Sequence, residues 1–299
     1  MSKPIFSFNR NEVPNTLGMD YIIGAIEKSG LFEIRNHNDT IPSLRGYRAL
    51  LIYLNDKKVY MDFWEYPNPT YSMEVIRYNP DLIIKLQHRE MTHDQYNRIC
   101  QRKNFMAEAT PEQRIALLEK IVPFTFFPSR MFMPFVEKIE DIVPEPIDKT
   151  GFFCGKVWKC RLAILEALKK ANIECDSSNQ GIHKTISDEE YLKKMKGSKF
   201  GIVLRGRASM LTDAKNRREV DYMMLKRPLL LNYKPFYYNP LVEGKHYIYF
   251  DEKTDLDNLE KMYNIQEIVN NATQWYNDNA SPSGVVKVFM QILKDRNIL

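Results

Sequence analysis

Arginines and carboxylates crowd one stretch of the chain, Arg205-Gly206-Arg207 followed by Arg217-Arg218-Glu219-Val220-Asp221. A carboxylate accepts two hydrogen bonds from a vicinal diol, and an Arg fork binds a phosphate through two parallel ones. Together these types suit a ligand that joins a sugar to a phosphate. Arg205 and Arg207 follow an apolar run, Lys199–Leu204, so they stand at the carboxyl end of an expected strand. Lys156 and Arg161 stand at the start of an expected helix, Val157–Ala171, whose N-terminal dipole favours an anion. Each has a plainer reading. Arg217 or Arg218 with Asp221 makes an (i, i+4) or (i, i+3) surface pair, and lone basic residues are mostly solvated.

A second constellation is Val59-Tyr60-Met61-Asp62-Phe63-Trp64-Glu65-Tyr66-Pro67. Carboxylates and aromatics end an expected strand beside a proline turn, which suits a sugar platform with a general base next to it. Residues 62 and 65 point to opposite faces of a regular strand, and Asp62 sits at its more regular end. Asp62 is therefore the first candidate base and Glu65 the second, with Glu12, Asp20 and His88 as competitors. Aromatics packed in a core are the plainer reading. His183, before a helix, reads more simply as a solvent turn.

Short apolar runs alternate with amphipathic segments, the rhythm of an α/β protein. The expected strands of the first half are Pro4–Phe8, Ala49–Leu54, Lys58–Trp64, Asp81–Leu86 and Val122–Phe127, with helices at Gly18–Ser29, Thr92–Arg102 and Pro111–Lys120. Thr110, Pro111 and Gln113 form a capping box with Pro at N1. Pro134, Pro144 and Pro146 flank a charged stretch that reads as a linker, dividing the chain into residues 1–143 and 144–299. The second half has strands at Gly151–Cys154, Asn172–Asp176, Lys199–Leu204, Pro228–Leu231 and His246–Phe250. Helices are expected at Val157–Ala171, Asp188–Met195 and Arg217–Lys226, then near Leu256–Tyr276 and Ser283–Asn297. Trp158, Leu162 and Leu165 share a stripe that reads as core.

Several chemistries are excluded. Gly201-Ile-Val-Leu-Arg-Gly206 is a near-miss phosphate loop, but Arg207 and Ala208 replace the Lys and Ser/Thr, and its interior reads as a strand. There is no GxGxxG after a strand, no HExxH and no GxSxG. The four Cys include no CxxC pair, against a disulfide scaffold or zinc cluster. Asp255-Leu256-Asp257 has the form of a metal-binding pair but sits at a helix start, where acids cap.

The 299 residues suit two domains. A net charge of +5, from 43 basic and 38 acidic residues, favours an anionic ligand without reaching a nucleic-acid coat. No apolar run approaches the roughly 18 residues of a membrane span, and no secretory leader is evident. The expectation is a cytoplasmic protein with reduced thiols and unglycosylated sequons at Asn38, Asn271 and Asn279.

The stretch Arg217-Arg218-Glu219-Val220-Asp221-Tyr222-Met223-Met224-Leu225-Lys226-Arg227-Pro228-Leu229-Leu230 resembles the nucleotide-sugar motif of GT-B glycosyltransferases, (K/R)xx(D/E)YMALGKPVI. Gly151-Phe152-Phe153-Cys154-Gly155 with its following helix resembles the opening of a GT-B C-terminal domain. Leu241-Val242-Glu243-Gly244-Lys245, before an aromatic strand, resembles the stretch that follows the motif. Lys226 departs from the family by standing where Gly is usual.

The resemblance, close to exostosin-like and small group-1 transferases, including those of bacteria and large DNA viruses, covers about residues 150–299. It implies two Rossmann-like domains facing a cleft: an N-terminal acceptor domain, 1–143, and a C-terminal donor domain, 144–299, with the last helix returning to the first. It implies a hexosyl- or pentosyltransferase using a nucleoside-diphosphate sugar, UDP-linked, and a glycan acceptor. No metal or other cofactor is expected, because basic side chains can offset the diphosphate charge. Asp221 becomes the ribose ligand, with Glu219 its rival, and Arg205, Arg207, Arg217, Arg218, Arg161 and Lys156 the donor contacts. A non-catalytic nucleotide- or glycan-binding module on the same fold is the alternative. A nucleic-acid binder ranks third, since the charges interleave instead of forming one basic face.

Overall fold

The computed structural model describes residues 2–13, 19–37, 49–63, 72–86, 91–102, 108–128, 139–144, 151–154, 161–171, 173–176, 187–205 and 217–299. The chain forms two units. Unit 1 takes Met1–Thr125, Phe236–Asn239 and Pro282–Leu299, and unit 2 takes Phe126–Pro235 and Pro240–Ser281. The boundary thus falls at Thr125/Phe126, not at 143/144. The proline-flanked stretch goes with unit 2 because Lys196 Nζ donates to the Ile139 and Glu140 carbonyls, at 2.8 and 3.1 Å. Lys226 Nζ also meets the Glu140 carboxylate at 2.6 Å.

Unit 1 carries strands β1 (Ile5–Phe8), β2 (Glu33–Asn36), β3 (Ala49–Leu54), β4 (Lys57–Asp62), β5 (Leu82–Lys85) and β6 (Ile121–Pro123). Its helices are α1 (Met19–Ser29), α2 (Ser72–Tyr78), α3 (His93–Arg102) and α4 (Pro111–Glu119). The sheet order is β2-β1-β3-β4-β5-β6. The expected Rossmann-like sheet is not what forms here. β3 runs antiparallel to both β1 and β4, while the remaining pairs are parallel. The cause is local: only Asn55-Asp56 joins β3 to β4, and so short a turn makes neighbours antiparallel. Asn55 takes the left-handed conformation the turn needs, φ 55. The capping box at Thr110 forms in full, Thr110 and Gln113 each accepting from the other's backbone N–H.

Unit 2 carries β7 (Gly151–Cys154), β8 (Glu174–Asp176), β9 (Phe200–Val203), β10 (Leu229–Leu231) and β11 (Ile248–Tyr249). Its helices are α5 (Leu162–Lys170), α6 (Asp188–Gly197), α7 (Arg217–Met224), α8 (Leu259–Met262) and α9 (Ile265–Asn279). The last helix, α10 (Pro282–Asp295), belongs to unit 1, where Phe289 meets the rings of Phe6 and Phe32. The unit 2 sheet has the order β11-β10-β9-β7-β8 and every pair is parallel. Counted within the unit this is 2-1-3-4-5, a doubly wound order whose switch point lies between β7 and β9.

Gly201, Ile202 and Val203 lie in β9, so the near-miss phosphate loop begins as a strand, as its sequence indicates. The core of unit 2 gathers Phe153, Leu168, Ile202, Leu230 and Ile248. The expected stripe through Leu162 is corrected: Leu162 is exposed and the buried face of α5 is Ile164 and Leu168, with Leu165 partly covered. No helix among the described residues is long and apolar enough to cross a membrane.

Candidate functional site

In a doubly wound sheet the strand ends that meet a ligand are the carboxyl ones. In unit 2 a cavity of about 410 Å³ opens there. Arg205 follows β9, Asn232 follows β10, Tyr249 ends β11 with Asp251 and Glu252 just after it, and Ala163 and Ile164 close the wall from α5. The Arg205 backbone N–H donates to Asn232 Oδ1 at 2.6 Å, which ties the ends of β9 and β10 together. Asp251 Oδ1 accepts from the Lys253 backbone N–H at 2.9 Å and from Thr254 Oγ1 at 3.1 Å. The first of these bonds is the main reason its carboxyl is held below the usual range, so it stays ionised.

Arg161 stands at the switch point, almost wholly buried. Its Nε donates to the Arg205 carbonyl at 2.7 Å and its Nη2 to the Leu204 carbonyl at 3.0 Å, with the guanidinium 5.5 Å above the Phe153 ring. These bonds satisfy carbonyls at the end of β9 and fix the backbone that carries Arg205. The described geometry therefore gives Arg161 a positioning role.

The connection from β9 to β10 is a crossover, so α7 begins at the edge where β9 ends. Asp221 is its fifth residue and does not open the helix. Glu219, in the first turn, is the residue nearer the helix start. Both carboxylates are closed to solvent. Tyr233 donates its hydroxyl to Glu219 Oε1. Tyr247 lies within the field of Glu219, and burial first, then Glu243 and Glu219, push its hydroxyl up to about 12. Arg218 is half-buried. Arg207, Lys156 and the Arg217 side chain lie outside the described residues.

Past Met224 the motif makes a Schellman turn: Arg227 N–H donates to the Tyr222 carbonyl and Lys226 N–H to that of Met223. Lys226 has φ 55, the left-handed conformation a glycine would take at that place. Tyr222 crosses the sheet beneath, its hydroxyl donating to the Phe152 carbonyl at 2.8 Å.

In unit 1, Asp62 ends β4 and pairs in register with Lys85 at the end of β5. Their side chains are wholly buried and meet at 3.1 Å. Desolvation lowers the Lys85 pKa, and Asp62 works against that shift. Nearby, burial raises the Cys100 thiol to about 11. Asp20 is exposed in the first turn of α1. Glu65, Trp64, His88, His183 and the Glu12 side chain lie outside the described residues. Asp255 caps the turn Leu256–Asn258, accepting from Asp257 N–H at 3.2 Å and Asn258 Nδ2 at 2.7 Å, as its position suggests.

Of the residues around this cavity, sequence reasoning singles out Arg205 but not Asn232, Tyr249, Asp251 and Glu252. The signal was present, since each ends or follows an apolar run that proves to be a parallel strand.

No family model and no curated protein matches this chain. Among solved structures it is similar to the wall teichoic acid polymerase TagF, at 11% identity and a TM-score of 0.33, over 97% of this chain and 88% of that one. A likeness so distant carries neither fold nor function to this chain.

Proposed function

We propose that the protein is a glycosyltransferase that moves a sugar from a UDP-linked or similar nucleoside-diphosphate donor to a glycan acceptor without a metal. The observation that carries this reading is the 410 Å³ cavity at the carboxyl ends of β9, β10 and β11, lined by Arg205, Asn232, Asp251 and Glu252. Its volume suits a small ligand. A guanidinium suits a phosphate, and carboxylates suit sugar hydroxyls. The motif resemblance through Asp221 adds to it.

On this reading Arg205 makes the diphosphate contact, with Arg207, Arg217, Arg218 and Lys156 as further basic groups. Arg161 holds the strand end beneath. Asp221 is the ribose acceptor and Glu219 its rival. Asp221 is closed to solvent, so the diol reaches it only after local rearrangement. The candidate bases are Asp62 and Glu65. A base takes the acceptor hydroxyl proton as that oxygen attacks the anomeric carbon and the nucleoside diphosphate leaves. Asp62 would have to exchange its Lys85 partner for that hydroxyl.

The second reading is a non-catalytic nucleotide- or glycan-binding module. It is favoured by one observation, the complete burial of Asp62, Glu219 and Asp221. The transferase and a nucleotide-binding module both expect nucleoside diphosphates to raise the melting temperature, because a ligand of the native state stabilises it. No shift with any of them at millimolar concentration rejects these two and leaves the glycan-binding module. A shift with no release of UDP from UDP-sugars, with or without glycan acceptors, rejects the transferase and keeps the module.

A further inference from the structure

The opposite end of the same parallel sheet holds a second cavity, of about 640 Å³. Lys199 precedes β9, and Lys226 and Arg227 precede β10, so the cavity lies at the amino ends of the strands, away from Arg205 and Asn232. Its other wall is α9, which presents Gln266, Asn270, Gln274 and Asn277. Successive members of that row are three or four residues apart, so they share one helix face.

We propose that this cavity binds an anionic oligosaccharide, with the Arg227 guanidinium taking the acidic group and the α9 amides taking the hydroxyls. Arg227 is fixed by the Schellman turn at its own N–H and by the start of β10 just beyond Pro228. Its Nε is shut from solvent, and no hydrogen bond or carboxylate partner of its guanidinium occurs among the described residues. The side chain as a whole lines the cavity and is partly exposed, so the rest of its fork is open to an acceptor there. The two lysines differ: Lys199 is paired with Glu260 at 2.7 Å and Lys226 with Glu140 at 2.6 Å. Among the described residues the site therefore offers one cation without a carboxylate partner, which matches a ligand with isolated acidic groups better than a polyphosphate.

The amides decide the rest of the ligand. Gln266 Nε2 donates to Asn270 Oδ1 at 2.9 Å, and Gln274 Nε2 to Asp278 Oδ2 at 2.6 Å, which leaves the Gln266 and Gln274 carbonyl oxygens and the Asn270 N–H groups to spare. Acceptors and donors side by side suit hydroxyls, which are both. Among the described residues no aromatic lines the cavity, so they give stacked nucleobases no platform.

The test is titration calorimetry with trigalacturonate, alongside maltotriose and inorganic phosphate. It uses no nucleotide, so it stands whether or not UDP binds at the other end of the sheet. The expected result is that trigalacturonate binds more tightly than either control, and that Arg227→Gln weakens it by about tenfold or more. Arg227→Lys, which keeps the charge and loses the fork, should also weaken it, and Gln274→Ala by a smaller factor. Absence of trigalacturonate binding at millimolar concentration overturns the proposal. So does equal affinity for maltotriose or phosphate. If Arg227→Gln lowers the melting temperature too far to titrate, unchanged binding by both Arg227→Lys and Gln274→Ala overturns it instead.

Discussion

The Tyr222 ring occupies the place a side chain on Gly201 would need: a β-carbon there would stand 2.3 Å from Tyr222 Cγ. Glycine in mid-strand β9 is thus the condition for α7 to lie close against the sheet. Gly201→Ala should destabilise unit 2 by about 1–3 kcal/mol or more, since neither the strand nor the ring can yield cheaply. Gly24 is the contrast, a helix residue with open space where its β-carbon would go. Gly24→Ala should stabilise by about 0.5–1 kcal/mol. Urea denaturation of both variants checks the pair of signs.

Lys226 gives a second comparison. Its left-handed backbone costs about 1–2 kcal/mol for a residue with a β-carbon, and its exposed pair with Glu140 returns about 0–1 kcal/mol. Lys226→Gly should therefore be as stable as the natural protein or more so, and Lys226→Ala less stable than both. An alanine variant that matches the glycine variant in denaturant would show that the turn does not demand the left-handed conformation.

The buried pair in unit 1 predicts a large loss from a small change. Asp62→Asn removes the carboxylate that faces the buried Lys85 ammonium and should cost about 3–5 kcal/mol, while Asp62→Leu with Lys85→Met should recover much of it. Turnover separates the roles. If the double variant folds and still transfers sugar, Asp62 is a core residue and not the base.

His246 predicts a pH dependence. Its Nδ1 accepts from the Val242 backbone N–H at 2.8 Å, and burial, helped by Lys245, pushes the ring down to about 4 from 6.5. The folded pKa is depressed, so between these values the unfolded chain binds more protons and stability rises with pH. The contribution is complete above pH 6.5 and lost as pH falls to about 4, amounting to about 3 kcal/mol at most. In His246→Asn the amide oxygen can take the same N–H, so the slope of stability between those pH values should shrink.

Long apolar runs were the readable part of the sequence. β3 and β7 form over the expected residues because their alternatives would expose Leu50, Ile52 or Phe152. β2 was missed because Glu33, Arg35 and Asn36 are exposed on an edge strand and carry no apolar pattern. α2 was missed because its 7 residues cover barely two turns. At the candidate site, residue types pointed to anion chemistry, but partners distant in sequence decided their use. The Arg161 fork is taken by carbonyls 43 and 44 residues away, and Glu219 by a tyrosine 14 residues away. No spacing rule reads such pairings.

The placement of α10 sets an order of events during synthesis. Phe289 packs against the rings of Phe6 and Phe32, yet the ribosome makes it after every residue of unit 2. At roughly 5–20 residues per second, every residue of unit 2 is joined before the first unit has its last wall. The first-made half of the protein is thus the last that can finish folding, and until then its open apolar seam is a target for chaperones and proteases.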